Sequence, residues 1–450
     1  MFINEGVSVR PSPRRLIKRD ASKWVGGMIA AFFVSPVLLL WIIFKCRSEK
    51  LSRIAITLFC VAFGLTMEMG NSTSDGIRHI ARVEYYYMDM GWSQFLSELG
   101  QIFLLKGTPA PVFDPFIHII SFLAGGVAQQ PLLLYALSGL VFGWFFSGTV
   151  LIALRNLKWA KVTYILAFVI ALALLLRGIQ YIQSIRMWTG MWIVLYGAFS
   201  YCIDRRKSGL VTILFAPLVH FAYLVIVPVI LAAILFRKKR KLITWVFLAT
   251  AVFSFDLRPA TMVDFESSEL LESRASYVKE DSDVSAFSEF ASRAQSTSLH
   301  NAATRAGVPK IGYSLFAAVL LLSGFTRGLR AHQKDIVFVS IAVLAFSNLS
   351  FGIPAIPGRT TLIAANSLLL AYIYVRTSSG QRRFTRTPWE SGLYKFGTNV
   401  SFLFMFPMLL FSLSVITHYF SMYMFALPFL VIIDPDGNLS LKEFMFLRFF

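Results

Sequence analysis

The feature that most restricts how this chain can fold is a succession of apolar runs, each close to the length of a membrane crossing and each separated from the next by a short polar or basic segment. A helix needs about 20 consecutive apolar residues to span the hydrocarbon core. Runs approaching that length occupy roughly 24–44, 53–69, 131–154, 162–177, 187–203, 242–256, 311–326, 335–350, 359–376 and 396–417. A chain of 450 residues that is 56% hydrophobic and only 15% charged does not fit a soluble globular domain. Backbone groups in lipid must be satisfied within the protein, and helices do this within one segment. The expected fold class is therefore all-α: a single polytopic membrane domain over 1–450, built as a transmembrane helical bundle of about 10–13 membrane segments with re-entrant pieces.

The formal net charge of +19 would suggest nucleic acid in a soluble protein. Here Lys and Arg cluster in the short segments between apolar runs, which is how topology is encoded, so no nucleic-acid partner is expected. Placing "KCRSEK", "RNLKWAK", "DRRK", "RKKRK", "RGLRAHQK" and "RTSSGQRRFTR" in the cytoplasm gives a consistent ladder. The segments 70–111, 178–186, 257–310 and 351–358 then face outward, with 257–310 as a long extracytoplasmic loop. The same ladder puts the basic N-terminal tail outside, so either the first run does not fully cross or the charge rule is broken there. The stretch 209–236 has basic flanks on both sides and must enter and return, with Pro217 and His220 near the bend. The stretch 112–127 carries Asp114, His118 and two glycines and reads as re-entrant or interfacial. The first run is too long for a signal-peptide core and is read as retained. In the C-terminal tail 418–450, "DPDGNLSLKEF" lacks the central Gly and the terminal Glu of a calcium loop and reads as a surface turn. Cys46, Cys60 and Cys202 have no paired spacing, so neither a disulfide framework nor a zinc site is supported.

Chemistry then has to come from the outward segments. "NSTSDGIRHIARVEYYY" supplies Asp75, Arg78, His79, Arg82, Glu84 and three tyrosines, which read as an interfacial belt. "RGIQYIQSIR" supplies Arg177, Gln180, Gln183 and Arg186, which in a helix recur every third residue and line one drifting stripe. The bend supplies His220, and "FGIPAIPGRT" supplies Arg359. Span-end arginines are most often lipid anchors, and a lone His in an apolar helix is most often a structural hydrogen bonder. Several arginines beside tyrosines and carboxylates nevertheless suit a diphosphate, because guanidinium stays charged and donates forked hydrogen bonds to phosphate oxygens. A nearby His or carboxylate can take the proton of a sugar hydroxyl. His220 and Asp75 are the candidate bases, in that order. Arg78, Arg82, Arg177, Gln180, Gln183, Arg186 and Arg359 are the candidate binding residues, with no cofactor or metal called for.

The block "SIRMWTGMWIVLYGAFSYCIDRRKSGLVTILFAPLVHFAYLVIVP" resembles the central segment of EpsG-like proteins, relatives of the Wzy-type polysaccharide polymerases. In that pattern an Arg opens a span, and a basic turn leads to a short helix ending in His, followed by an apolar stretch and a Pro. Arg186, "DRRK", His220 and Pro228 hold those positions. Asp75 followed by Tyr85, the segment "FDPFIHIISFLAG" and Arg359 also resemble the family layout, although the Asp75-to-tyrosine interval is longer than usual. The resemblance implies a GT-C-like, metal-independent membrane glycosyltransferase in the bacterial cytoplasmic membrane. Such an enzyme joins polyprenyl-diphosphate-linked repeat units into exopolysaccharide, capsule or O-antigen on the outer face. The partners implied are the lipid-linked glycan, membrane lipid and other polysaccharide-assembly proteins such as a chain-length regulator. A glycosyltransferase moving single sugars from polyprenyl phosphate and a flippase or exporter of lipid-linked glycan are the alternative readings. Many transporters show two related halves, and no internal repeat is visible here.

Overall fold

The computed structural model describes residues 13–46, 48–68, 75–104, 106, 114–252, 308–349, 356–378, 387–435 and 437–449. The long segment expected at 257–310 lies outside the described residues up to 307, as does part of 70–111. The architecture is all-helical: among the described residues there is no strand, only an isolated bridge between Ser421 and Ser440.

In chain order the α-helices are α1 (Pro13–Val34), α2 (Val37–Lys45), α3 (Glu49–Thr66), α4 (Asp75–Arg82), α5 (Trp92–Phe103), α6 (Pro115–Phe122), α7 (Leu133–Leu154), α8 (Tyr164–Leu175) and α9 (Met187–Cys202). There follow α10 (Ser208–Leu214), α11 (Ala216–Val219), α12 (Tyr223–Phe236), α13 (Arg240–Val252), α14 (Val308–Leu322), α15 (Ala331–Leu349), α16 (Ile356–Ser378), α17 (Pro388–Tyr419), α18 (Leu430–Ile433) and α19 (Leu441–Phe449). Among the described residues, three segments are both long and apolar enough to cross a membrane: α7, Tyr164–Tyr181, which extends α8, and α17. With 32 residues, α17 is roughly 48 Å long at 1.5 Å per residue, well beyond the run 396–417 marked from composition. It begins on a capping box in which Thr387 and Glu390 satisfy each other's backbone N–H.

The first apolar run is not one straight helix. It breaks at Ser35–Pro36, where proline cannot donate to the preceding turn and its ring crowds the carbonyl four residues back. Trp24, Ala31 and Val34 of α1 and Leu38 and Trp41 of α2 line one apolar cleft of about 620 Å³. Both arms thus contribute to one cleft beside the kink. The stretch 209–236 is also divided: α10 and α11 lead to an extended residue at His220, and α12 starts anew beyond it.

The most extensive packing joins α3 to α7, and small residues permit it. A Cβ on Gly64 or Gly139 would overlap the backbone of Tyr135 or Cys60, and one on Gly143 would strike Cys60. Gly139 and Gly143 are the small pair, four residues apart, that lets two helix backbones approach closely.

Ion pairs gather the basic connections at one end. Arg155 reaches Asp204 at 2.8 Å and Glu49 at 3.4 Å. Buried Asp335, near the start of α15, accepts from Arg205 at 2.9 Å and Arg237 at 3.4 Å and pairs electrostatically with Arg240 at 3.6 Å. Asn156 donates to Ser378 at 2.9 Å, and Arg327 pairs with Glu390 at 2.7 Å. The segments before α3, α8, α10, α13, α15 and α17 therefore share an end, and α9, α12 and α16 each run between that end and the opposite one. In the C-terminal tail, Asp434 accepts the Gly437 N–H in a turn, and Ser440 with Glu443 forms a second capping box that starts α19.

Candidate functional site

At the end opposite the basic connections, one carboxylate collects three groups from two distant parts of the chain. Asp114 precedes Pro115, and a residue before proline is pushed toward extended backbone, here φ −102° and ψ 120°. Its side chain makes no capping bond to α6 and is completely buried. Instead, Arg186 Nη1 donates to Oδ2 at 2.6 Å, the Phe221 backbone N–H donates to Oδ1 at 2.8 Å, and His220 Nδ1 lies 3.2 Å from Oδ2.

The two partners are brought level by the chain on either side of "DRRK". Arg186 stands immediately before α9. His220 is the extended residue, φ −157° and ψ 128°, between α11 and α12, and this conformation turns the Phe221 N–H toward Asp114. Tyr223, at the start of α12, donates its hydroxyl to the Met187 carbonyl at 2.6 Å. Its ring lies where a side chain on Gly190 would have to go, so only glycine lets the starts of α9 and α12 close together. A carboxylate at Nδ1 requires the N–H there, which leaves the lone pair of His220 on Nε2.

Further charges surround this core. Arg359, in the first turn of α16, acts electrostatically on His220 and Tyr223. Arg82, closing α4, lies within electrostatic range of Arg186, and both arginines act on His79. Arg186 contacts the carboxylate, and Arg82 and Arg359 act on neighbouring members of the cluster from farther away, so among these groups positive charge is in excess. The cluster can orient a neutral imidazole and hold an anion beside it.

Of the sequence candidates, Arg186, His220, Arg82 and Arg359 thus come together. Asp75 opens α4, but its side chain lies outside the described residues, and Arg78 on the same helix is exposed. The stripe expected from Arg177, Gln180, Gln183 and Arg186 does not form. α8 ends at Leu175, Gly178 is extended, and 177–186 becomes a series of turns around one short 3-10 turn, Ile179–Tyr181. Arg177 stacks its guanidinium over Tyr181 and Trp188, 4.2 and 4.4 Å from the ring centroids, and donates to the Leu176 carbonyl. Gln180 is buried and donates to the Leu175 carbonyl, while half-buried Gln183 lies in the following turn. The tyrosines do not form one belt either. Tyr85 is exposed, Tyr86 donates to Glu98 at 2.5 Å, and Tyr87 is fully buried against His118 Nδ1 at 2.8 Å.

Cation–π contacts of a desolvated guanidinium contribute on the order of 1–2 kcal/mol. Arg177→Gln should therefore lower the stability of the detergent-solubilised protein by about that amount, measured by thermal unfolding, while Arg177→Lys, which keeps charge without the flat stacking surface, should recover only part of it. Unchanged stability in both would remove the structural role assigned to this side chain.

Asp114 is the residue that sequence reading left out of the site. Its one signal was an acid set before Pro115 and an otherwise apolar short helix, where an unpartnered carboxylate would be costly. No family model, curated protein or solved structure matches this chain.

Proposed function

We propose that the chain is a polytopic membrane glycosyltransferase that polymerises polyprenyl-diphosphate-linked oligosaccharide units on the outer face of the bacterial cytoplasmic membrane. The observation that carries this reading is the buried Asp114 carboxylate shared by Arg186, His220 and the Phe221 N–H, with Arg82 and Arg359 close by. An oriented neutral imidazole beside an excess of guanidinium charge is the pairing needed to move a glycosyl group from a diphosphate to a hydroxyl.

In this mechanism Nε2 of His220 accepts the proton of an acceptor sugar hydroxyl, and Asp114 stabilises the imidazolium that forms. The acceptor oxygen forms its bond to the anomeric carbon of the donor glycan as the bond from that carbon to the diphosphate oxygen breaks. The electron pair leaves on the lipid diphosphate, and Arg186, Arg82 and Arg359 neutralise the charge that builds there. The proton on His220 is then free to pass to the departing diphosphate. Diphosphate is a good leaving group, so the second carboxylic acid familiar from glycoside hydrolysis is not required.

The decisive experiment supplies the purified full-length chain in nanodiscs with polyprenyl-diphosphate-linked repeat units and follows product length by gel electrophoresis. Ladders of many units are expected. Addition of one sugar only from polyprenyl phosphate would turn the reading to a single-sugar transferase, and lipid-linked units moved across a vesicle membrane without new glycosidic bonds would turn it to a flippase.

The topology that goes with this reading places the basic end in the cytoplasm and the Asp114 cluster outside. Single cysteines at Ser74 and Ser285, in a background without Cys46, Cys60 and Cys202, should react with a membrane-impermeant thiol reagent in cells whose outer barrier is permeabilised. Reaction only after lysis would invert the orientation and put the cluster on the wrong face for surface polysaccharide.

A further inference from the structure

His79 belongs to none of the roles given above, yet it stands beside the same cluster. It lies on α4 one turn before Arg82, so the two side chains share a helix face. The residue is only 9% exposed, and its Nδ1 is buried without a hydrogen-bond partner among the described residues. A buried polar atom left in that state costs free energy and calls for a partner that the described residues do not supply. A second such atom, the hydroxyl of Thr189, sits one turn beyond Arg186 on α9 and is likewise buried and unpartnered. The positive charges of Arg82 and Arg186 both act on His79, and Asp114 acts on it in the opposite sense.

We propose that His79 is a direct ligand contact, a neutral imidazole whose Nδ1–H donates a hydrogen bond to a phosphate oxygen held between Arg82 and Arg186. Burial, followed by the repulsion of Arg186 and Arg82, pushes its pKa down to about 3, so the ring stays uncharged at neutral pH. An uncharged donor suits this position: it adds direction to the bond without adding a fourth cation to a crowded site, and the two guanidiniums supply the charge. The flanking cations also make an anionic oxygen, rather than a hydroxyl proton, the partner of this nitrogen. The assignment rests on the diphosphate chemistry of the proposed function and deepens it, separating a phosphate-binding His79 from a proton-accepting His220.

Two conservative variants test it, because the amide of Asn reproduces a donor near the position of Nδ1 and that of Gln reproduces one near Nε2. Inorganic diphosphate is titrated calorimetrically into the full-length chain in nanodiscs, with thermal unfolding as the control for folding. His79→Asn should bind within about threefold of wild type, and His79→Gln about tenfold or more weaker, the loss typical of one hydrogen bond to a charged group. Equal affinities for the two variants, or the reverse order, would overturn the assignment. The titration is repeated in nanodiscs of neutral lipid and of lipid containing phosphatidylglycerol. A diphosphate affinity unchanged between them supports a substrate subsite, whereas abolition by phosphatidylglycerol would overturn it in favour of bulk headgroups. The readout is independent of polymerisation: His79-dependent diphosphate binding without polymer formation would defeat the proposed function and leave this subsite intact, while polymer formation with a His79 that diphosphate ignores would do the reverse.

Discussion

Asp114→Asn should yield a chain that reaches the membrane but is less stable by about 3 kcal/mol, and whose rate of polymer formation falls by about a hundredfold or more. The carboxylate is fully buried and accepts from a guanidinium, a backbone N–H and an imidazole at 2.6, 2.8 and 3.2 Å. Asn preserves the volume and one acceptor, enough for Phe221, but it leaves Arg186 without its counter-charge and His220 without an anion to orient it. Removing one partner of a buried ion pair costs about 3–5 kcal/mol. The lower end applies because the Arg186 side chain is still 29% exposed and regains some hydration. The coupling is measurable by adding Arg186→Gln: the double variant should be more stable than the sum of the two single losses by about 1–3 kcal/mol, since the second change removes the stranded charge. Additive losses would mean that the contact contributes little, and full polymer length in Asp114→Asn would remove the carboxylate from the chemistry.

The helices and their basic end were legible because hydropathy and charge are local signals. Ten runs could be marked by counting, and "DRRK", "RKKRK" and "RGLRAHQK" could be grouped by sign alone. The structure does gather Arg205, Arg237 and Arg240 on Asp335. Pro36 was visible too, but its consequence depends on what the flanking arms pack against, and no window of sequence contains that. The candidate site divides along the same line. Arg186 and His220 could be picked out as polar residues at the ends of apolar runs. Asp114 lies 72 residues from one and 106 from the other, and no periodicity reports a contact of that separation. The stripe through Arg177 and Gln180 fails to form for a local reason: spacing of three was read as helical although Gly178, a helix terminator, stood inside it. Once the chain turns there, Arg177 finds Tyr181 and Trp188 before it can reach Arg186.

The second large effect separates transition-state stabilisation from anchoring. If Arg186 only carried its charge to a headgroup region, lysine would serve nearly as well, because both side chains reach the interface on an apolar stem. The structure gives the guanidinium a second task. One nitrogen, Nη1, is committed to Asp114, and the fork leaves other N–H groups to meet an incoming oxygen. A lysine ammonium drawn to Asp114 has no such fixed fork and would have to leave the carboxylate to follow the ligand. Arg186→Lys should therefore retain most of the stability lost in Asp114→Asn yet lose about a hundredfold or more in polymerisation rate, the usual cost of one donor aimed at developing charge. Expressed at wild-type levels in a strain lacking the native chain, it should leave single units on lipid or acceptor, and long polymer from it would end the case for a diphosphate role. His220→Asn completes the comparison. Asparagine keeps a donor near the Nδ1 position that meets Asp114 but cannot accept a proton at neutral pH, so stability should persist while polymer is lost. An Asn variant that still makes long chains would reassign the base, and the Asp114–His220 contact would stand as a structural link between α6 and the start of α12.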